Sequence, residues 1–404
     1  MAARPERTFA AARPGLLVLM LSAFAGVTTE MLPVGLLPTI SAAFHVTESR
    51  TGLVVSLYAA TVATMSVPLV LLTRRVPGKR LLLAATGSFA VSNLGASLAP
   101  SLAAFAGARA LGGVTHALFF SVCIGYGARL APNGYTGRAF ALVSAGASAG
   151  FALGVPLATV LGNALGWRAA FGAVTGLMIL AFVLTAILLP GVEHVPGVAG
   201  SSGRGRRHFA TAVGANTLTF LGHYSLYTYV TVLLLHAGAR TEFTGPILLL
   251  FGAMAVVGVW VAGPQIDRRP RTSALAVLGV IGLGILTAGL GASSLPLVIL
   301  GGAVWNCAFG VVPSLFQTAA VHARAVSPEL TGAWINSTSN IGIGVGSFLG
   351  GVMLERFDFP GTVILAAGFI AVAALVVLAA TGTFPPTARG WDDPTTTTRG
   401  VEPE

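Results

Sequence analysis

Apolar runs of about 20 residues, each long enough for one helical crossing of a bilayer, recur along the whole chain, and short segments between them collect nearly all the charge. The runs begin near Gly15, Ser49, Lys79, Ser101, Gly137 and Trp167 in the first half, and near His208, Glu242, Thr272, Leu295, Pro328 and Pro360 in the second. Twelve spans, six in each half, predict an all-α membrane protein built of two six-helix, pseudo-symmetric halves. The opening run is too long for a cleaved signal and carries Glu30, so it is read as span 1. Two stretches break the pattern. Residues 190–207, rich in Gly, Ser and Arg, read as a mobile linker, and residues 385–404, with the run Thr395 to Thr398, as a disordered tail. The expected organisation is therefore a tail over 1–14, a half over 15–189, the linker over 190–207, a half over 208–384 and the tail over 385–404.

Composition gives the same class: 54% of residues are apolar and 9% charged, with a mean hydropathy of +0.84, too little charge to keep a soluble domain dispersed. The distribution of basic residues sets the orientation. Arg50, Arg168, Arg240 and Arg356 fall in the loops opposite the N-terminus and Arg109 inside a span, while every other basic residue lies on the N-terminal side. Since cytoplasmic loops carry the excess of Lys and Arg, both termini are expected in the cytoplasm, with the protein multi-pass in the inner (cytoplasmic) membrane. This topology and attraction to anionic lipid account for the net charge of +10, so no nucleic-acid partner is read from it. Cys123 and Cys307 lie within spans and imply no disulfide framework.

Glu30 is the one of the thirteen acidic residues that sits within an apolar span. A carboxylate at bilayer depth costs about 2.5 to 3.5 kcal/mol even on lenient scales, which makes it a functional-site hypothesis. Burial disfavours its charged form, so it is suited to taking up and releasing a proton. Pro33 has no N–H, so the carbonyl of Thr29 loses its helical partner and the helix bends beside the carboxylate. The competing reading is a Glu snorkelling to an interface.

The two halves also match each other. Sliding the chain by 196 residues places Phe24 on Phe220, Gly26 on Gly222, Pro68 on Pro264 and Pro132 on Pro328, and the series Gly146, Gly150, Gly154 on Gly342, Gly346, Gly350. Parallel repeats of six spans place a substrate site near the midplane between the halves. In this register Glu30 faces Leu226 and Arg109 faces Trp305, so both buried charges belong to the first half.

The residues Thr29 to Pro38 in span 1, Arg109-Ala110-Leu111-Gly112-Gly113 with His116 in span 4, Gly166-Trp167-Arg168 with Phe171 entering span 6, and Asn336, Asn340, Gly342, Gly346, Gly350 and Gly351 in span 11 carry a resemblance to the major facilitator superfamily. It covers about residues 15 to 380 and is nearest the bacterial twelve-span drug:proton antiporters that include chloramphenicol and sugar efflux proteins. The resemblance implies the major facilitator fold, with spans 1 and 4 lining a central cavity near one another. It implies small-molecule substrates, protons and the lipid bilayer as partners, and a monomer without cofactor or metal. Two motifs depart from the family pattern. Leu69 and Thr73 replace the Gly and Asp expected between spans 2 and 3, whereas Gly263, Asp267, Arg268, Arg269 and Arg271 keep the second-half counterpart. In span 5, Gly154-Val155-Pro156 separates a Gly and Pro that are ordinarily adjacent.

On these grounds Glu30, Arg109 and His116 are the expected proton-coupling residues. Arg109 stabilises ionised Glu30 by attraction, unless it serves as a scaffold on backbone carbonyls; His116 is a relay or a packing residue. Asn216, Phe220, His223, Tyr224 and Tyr227 share a face of span 7, as do Asn306, Phe309, Pro313 and Gln317 in span 10, and Asn336 and Asn340 sit one turn apart. With Trp305 they are expected to line the substrate cavity, although helix-to-helix hydrogen bonding is the alternative for each. Asp267, Arg268, Arg271, Gly150, Gly154 and Pro156 are expected to act in the conformational gate. The missing HExxH, metal cluster and phosphate loop argue against an intramembrane enzyme and a nucleotide-driven pump, and the lone carboxylate set against an Arg argues against a passive channel. The expected activity is proton-coupled export of small drug- or sugar-like compounds by alternating access, with proton-coupled import of a sugar or similar nutrient as the alternative.

Overall fold

A computed structural model of the chain describes residues 9–73, 75–131, 135–191, 203–326 and 328–387. Regular structure among them is entirely helical: α1 (Phe9–Gly35), α2 (Leu37–Phe44), α3 (Glu48–Thr73), α4 (Gly78–Ser97), α5 (Leu102–Leu130), α6 (Thr136–Ala149), α7 (Val155–Leu165), α8 (Trp167–Leu188), α9 (Gly203–Tyr227), α10 (Val230–His236), α11 (Thr241–Arg268), α12 (Pro270–Leu290), α13 (Leu295–Phe309), α14 (Val312–His322) and α15 (Pro328–Ala379), with a π-helical turn at Gly150–Gly154 between α6 and α7. Of these, 10 segments are long and apolar enough to cross a membrane. One of them, within α15, breaks at Asp358 (φ 55°, ψ −159°) and so contains spans 11 and 12. Helix α4 falls short on hydropathy because it carries Thr86, Ser92 and Asn93, which it buries against α5 and α8. Together these are the twelve spans expected from the pattern.

Local chemistry explains the boundaries. Ser101 caps α5, its hydroxyl accepting from the Ala104 N–H at 3.2 Å, and Gly166 (φ 92°) makes the reversal between α7 and α8 that only glycine makes without strain. Span 1 begins at Phe9, earlier than the expected Gly15, and span 7 at Gly203, inside the stretch expected to be linker. Residues 192–202 of that linker and 388–404 of the tail lie outside the described residues. Just before the expected tail, Phe384 is buried against Phe316, and at its first residue Pro385 O accepts from the Arg271 N–H at 3.3 Å.

Lipid offers helices no hydrophobic drive to associate, so close packing and hydrogen bonds must hold them. In each half a glycine ladder does so. Gly150 lies on the carbonyl of Phe24, Gly146 on that of Met20 and Gly154 on Thr28, which fastens span 5 to span 1. Gly342, Gly346 and Gly350 meet Phe220, Leu221 and Ser225 and fasten span 11 to span 7. The 196-residue register is thus a register of contacts. Both ladders join helices of the same half, Gly150 and Gly154 among them.

At the seam, the core of the second half takes in Met31, Val34, Val55, Ala59 and Val155 from the first. On the side opposite the described chain ends, Thr231 Oγ1 donates to Val34 O (3.0 Å), Asn163 Nδ2 to Thr241 O and Thr244 Oγ1 (3.0 Å each), and Thr47 Oγ1 to Glu355 (3.0 Å). Gly245 and Gly252 of α11 press on Pro156, Val160 and Ala152, which puts Pro156 at the seam. Nearer the chain ends, span 11 meets span 2 through Asn336 and Ser337.

The ladder generates a prediction. A β-carbon at Gly346 would stand 2.6 Å from Leu221 O, whereas at Gly279 nothing lies within 4 Å. Gly346→Val should lower stability by about 1–3 kcal/mol, and Gly279→Ala should leave it unchanged or raised. Thermal melting in detergent reads the difference, and equal melting of the two variants would remove the ladder as a holding element.

Candidate functional site

Span 1 is broken where Pro33 removes a donor, and Arg109 supplies the replacement. Its side chain reaches from α5 fully buried, with Nη1 donating to Thr29 O at 2.8 Å and Nη2 to Glu30 O at 2.9 Å. Thr29 O is the carbonyl whose helical partner would have been the N–H of residue 33. The guanidinium also lies over the Tyr58 ring, 4.2 Å from its centroid, and 6.0 Å from that of Phe171. Asn93 on α4 holds the same turn by donating to Thr29 Oγ1 (3.1 Å) and Phe89 O (2.8 Å). The geometry is therefore that of the scaffold reading of Arg109, and among the described residues no ion pair joins it to the Glu30 carboxylate.

The carboxylate faces His116 instead, with Oε2 3.7 Å from Nδ1. Tyr58 Oη is 3.2 Å from the same nitrogen, and Phe120 stacks on the ring at 4.4 Å. Asn336, from span 11 in the other half, approaches this imidazole and donates to Ser66 Oγ at 3.0 Å. Glu30, Arg109 and His116 are thus gathered around one broken turn. Tyr58 and Asn93 were missed. Their signal was available: a phenol and an amide in the middle of apolar spans each need a partner there.

In the second half, Trp305 occupies the place of Arg109 and does a related job. Fully buried, it donates from Nε1 to His223 Nδ1 at 2.8 Å. That bond requires a lone pair on Nδ1, so His223 carries its proton on Nε2 and is neutral. Trp305 thus contributes a hydrogen bond as well as apolar surface. His223 is enclosed by Phe309, Tyr227 and Tyr224, and Tyr224 Oη donates to Met31 Sδ at 3.4 Å, across the seam. Asn216, Asn306 and Asn340 make helix-to-helix or local bonds: Asn216 to Thr338 and Ser339, Asn306 to Gly302 O and Asn340 to Asn336 O. Gln317 is half-buried in α14 and joins no hydrogen bond with this cluster among the described residues.

Arg271 Nη2 donates to Leu378 O at 2.6 Å, tying span 9 to span 12 within one half, and Arg268 is exposed at the end of α11. The side chain of Asp267 lies outside the described residues. No group of three or more His, Cys, Asp or Glu residues that would hold a metal occurs among the described residues.

Two six-helix halves around a central seam, with buried polar groups on both walls, define a polytopic membrane transporter. The family model described as Major Facilitator Superfamily matches residues 19–333, and the chain belongs to that superfamily. It is 30% identical over 359 residues to the chloramphenicol efflux pump of Mycobacterium tuberculosis strain H37Rv, an alignment covering 84% of this chain and 85% of that protein. Among solved structures it superposes on a bacterial homologue of the human lysosomal transporter Spinster with a TM-score of 0.72 (15% identity, 95% of this chain and 98% of that one). It matches a D-xylose-proton symporter at 0.71 (16% identity, 94% and 99%). At such identities the structural likeness establishes the fold alone. The protein is a multi-pass transporter and not an enzyme.

The Pro33–Arg109 relation is testable. Pro33→Ala restores an N–H to the Thr29 carbonyl, so Arg109→Ala should be less destabilising in that background than alone. A double-mutant cycle on melting in detergent should give a coupling of about 0.5–3 kcal/mol; strict additivity would show that Arg109 does not stand in for the missing bond.

Proposed function

We propose that this protein exports small, uncharged or weakly charged organic compounds in exchange for protons, by alternating access, with both termini in the cytoplasm. The observation that carries the reading is the Glu30 carboxylate, buried beside His116 and within one residue contact of span 11. Of the described residues it is the acid at membrane depth, and its protonation changes the charge of a cluster that touches both halves. Arg109, engaged on backbone carbonyls, keeps the broken turn in place while Glu30 gains and loses its proton. His116 bridges Glu30 to Asn336, so a proton change in the first half is felt at the second. The aromatic and amide wall formed by Tyr224, Tyr227, His223 and Phe309 offers apolar surface with few fixed charges, suited to holding partly apolar molecules loosely. The relative named for chloramphenicol efflux supports the outward direction, and the absence of a nucleotide-binding loop leaves an ion gradient as the energy source, at about 2.3 kcal/mol per charge per 100 mV.

The test uses everted vesicles containing the full chain, an imposed pH gradient and a compound panel that includes chloramphenicol. Adding a transported compound should release protons from the acid-loaded interior in wild type. Glu30→Gln, which preserves size and hydrogen bonding, should still bind substrate but lose gradient-driven accumulation. Wild-type coupling in that variant would remove Glu30 from the mechanism, and co-directional movement of proton and compound would replace export by import.

A further inference from the structure

The first turns of span 1 and the last turn of span 6 form a groove of about 390 Å³ that shares no residue with the Glu30 cluster. Arg13, Pro14, Leu17 and Leu21 line it from α1, Leu184 and Leu188 from α8, and Ala10 closes one end. It lies at the membrane face that carries the described chain ends. Gly15 seats span 1 on Leu189 and Pro190 at the end of span 6, while Leu17 and Leu188 stay exposed beside the groove, so it opens outward, to lipid. Helical rise puts about 16 Å between Ala10 and Leu21, close to half of the roughly 30 Å hydrocarbon thickness of a bilayer. The groove therefore runs the depth of one leaflet.

Polar chemistry is gathered at its outer end. Arg13 is exposed there, and Pro14, inside α1, has no N–H, so the carbonyl of Ala10 is without its helical donor. One end thus offers a cation and a hydrogen-bond acceptor, and the rest is lined by leucine. The surrounding charge decides the sign of what fits. Over residues 9–191 the described acids are Glu30 and Glu48. Glu30 is buried at membrane depth, and Glu48 opens α3 at the opposite face. Arg13, Arg75, Lys79, Arg80, Arg129 and Arg138 all stand at the face of the groove. Six cations with no described carboxylate among them in this half draw an anionic headgroup to that face.

We propose that this groove holds one anionic phospholipid, with its phosphate on Arg13, a headgroup hydroxyl donating to the Ala10 carbonyl, and an acyl chain along Leu17, Leu21, Leu184 and Leu188. The planar guanidinium donates to two phosphate oxygens at once, and the chain makes the dispersion contacts that no protein side chain supplies there. The site is separate from the seam between the halves and does not depend on the transport reading.

The experiment is a lipid titration followed by native mass spectrometry on the full chain, delipidated in dodecyl maltoside. The probes are phosphatidylglycerol, phosphatidylcholine with the same chains, and glycerophosphoglycerol, which is the first headgroup without chains. As first lipid bound, phosphatidylglycerol should be held about tenfold more tightly than phosphatidylcholine. Arg13→Gln should abolish that preference. Leu17→Trp, which places an indole in the groove, should weaken both lipids, and Arg80→Gln, a cation of the same face outside the groove, should leave the preference unchanged. Arg13, Leu17 and Arg80 are exposed, so all three variants should fold, which melting checks. Equal binding of the two lipids to wild type, a preference that survives in Arg13→Gln, or lipid binding untouched by Leu17→Trp would overturn the proposal. An equal loss in Arg13→Gln and Arg80→Gln would overturn it in favour of diffuse attraction, and glycerophosphoglycerol binding as tightly as the whole lipid would overturn it in favour of a site for free phosphodiesters.

Discussion

The guanidinium of Arg109, seated on the carbonyls of Thr29 and Glu30, is the interaction on which the site depends. In hydrocarbon a backbone carbonyl has no water to turn to, and Pro33 leaves one without its helical donor. An arginine is well matched to the task, because its rigid fork donates to two acceptors at once and stays charged. The result is a helix that breaks beside a carboxylate without leaving a buried acceptor unmet. Glu30 is thereby held in place by a bond to its own backbone, and its side chain is left facing His116.

The repeat clarifies how function was added to a symmetric frame. Both halves use the same construction, a glycine ladder joining the first and fifth helices and a side chain from the fourth donating to the first. In the first half that donor is Arg109 and the acceptors are carbonyls; in the second it is Trp305 and the acceptor is His223. One architecture therefore carries a buried carboxylate and guanidinium on one side and an aromatic wall on the other. Asn336 and Tyr224 reach across the seam, to the His116 ring and to Met31, so each wall has a contact on the other.

Much of this was legible in the sequence for a simple reason: the bilayer forces apolar runs, charge asymmetry and buried ionisable groups to stand out. The spans and the repeat came from such signals, while the nearness of spans 1 and 4, which carry Glu30, Arg109 and His116, was implied by the family resemblance. What was not legible depends on which atom a side chain selects. Arg109 had two acceptors within reach, a carboxylate and an orphaned carbonyl, and composition does not rank them. The glycines of spans 5 and 11 marked the repeat without saying which helix each series meets. Arg271 kept its place in a family motif yet binds within its own half. Tyr58 and Asn93 went unnoticed because a single polar residue in a span is common, and its importance comes from the neighbour it meets.

The central claim is that Glu30 exchanges its proton against substrate. Infrared difference spectroscopy of the purified protein in lipid tests it most directly, by following the C=O stretch of a protonated carboxyl group as pH falls and as chloramphenicol is added. The account predicts a band that is missing in Glu30→Gln and that loses intensity when the compound binds. A band that survives in Glu30→Gln, or one indifferent to the compound, would contradict it.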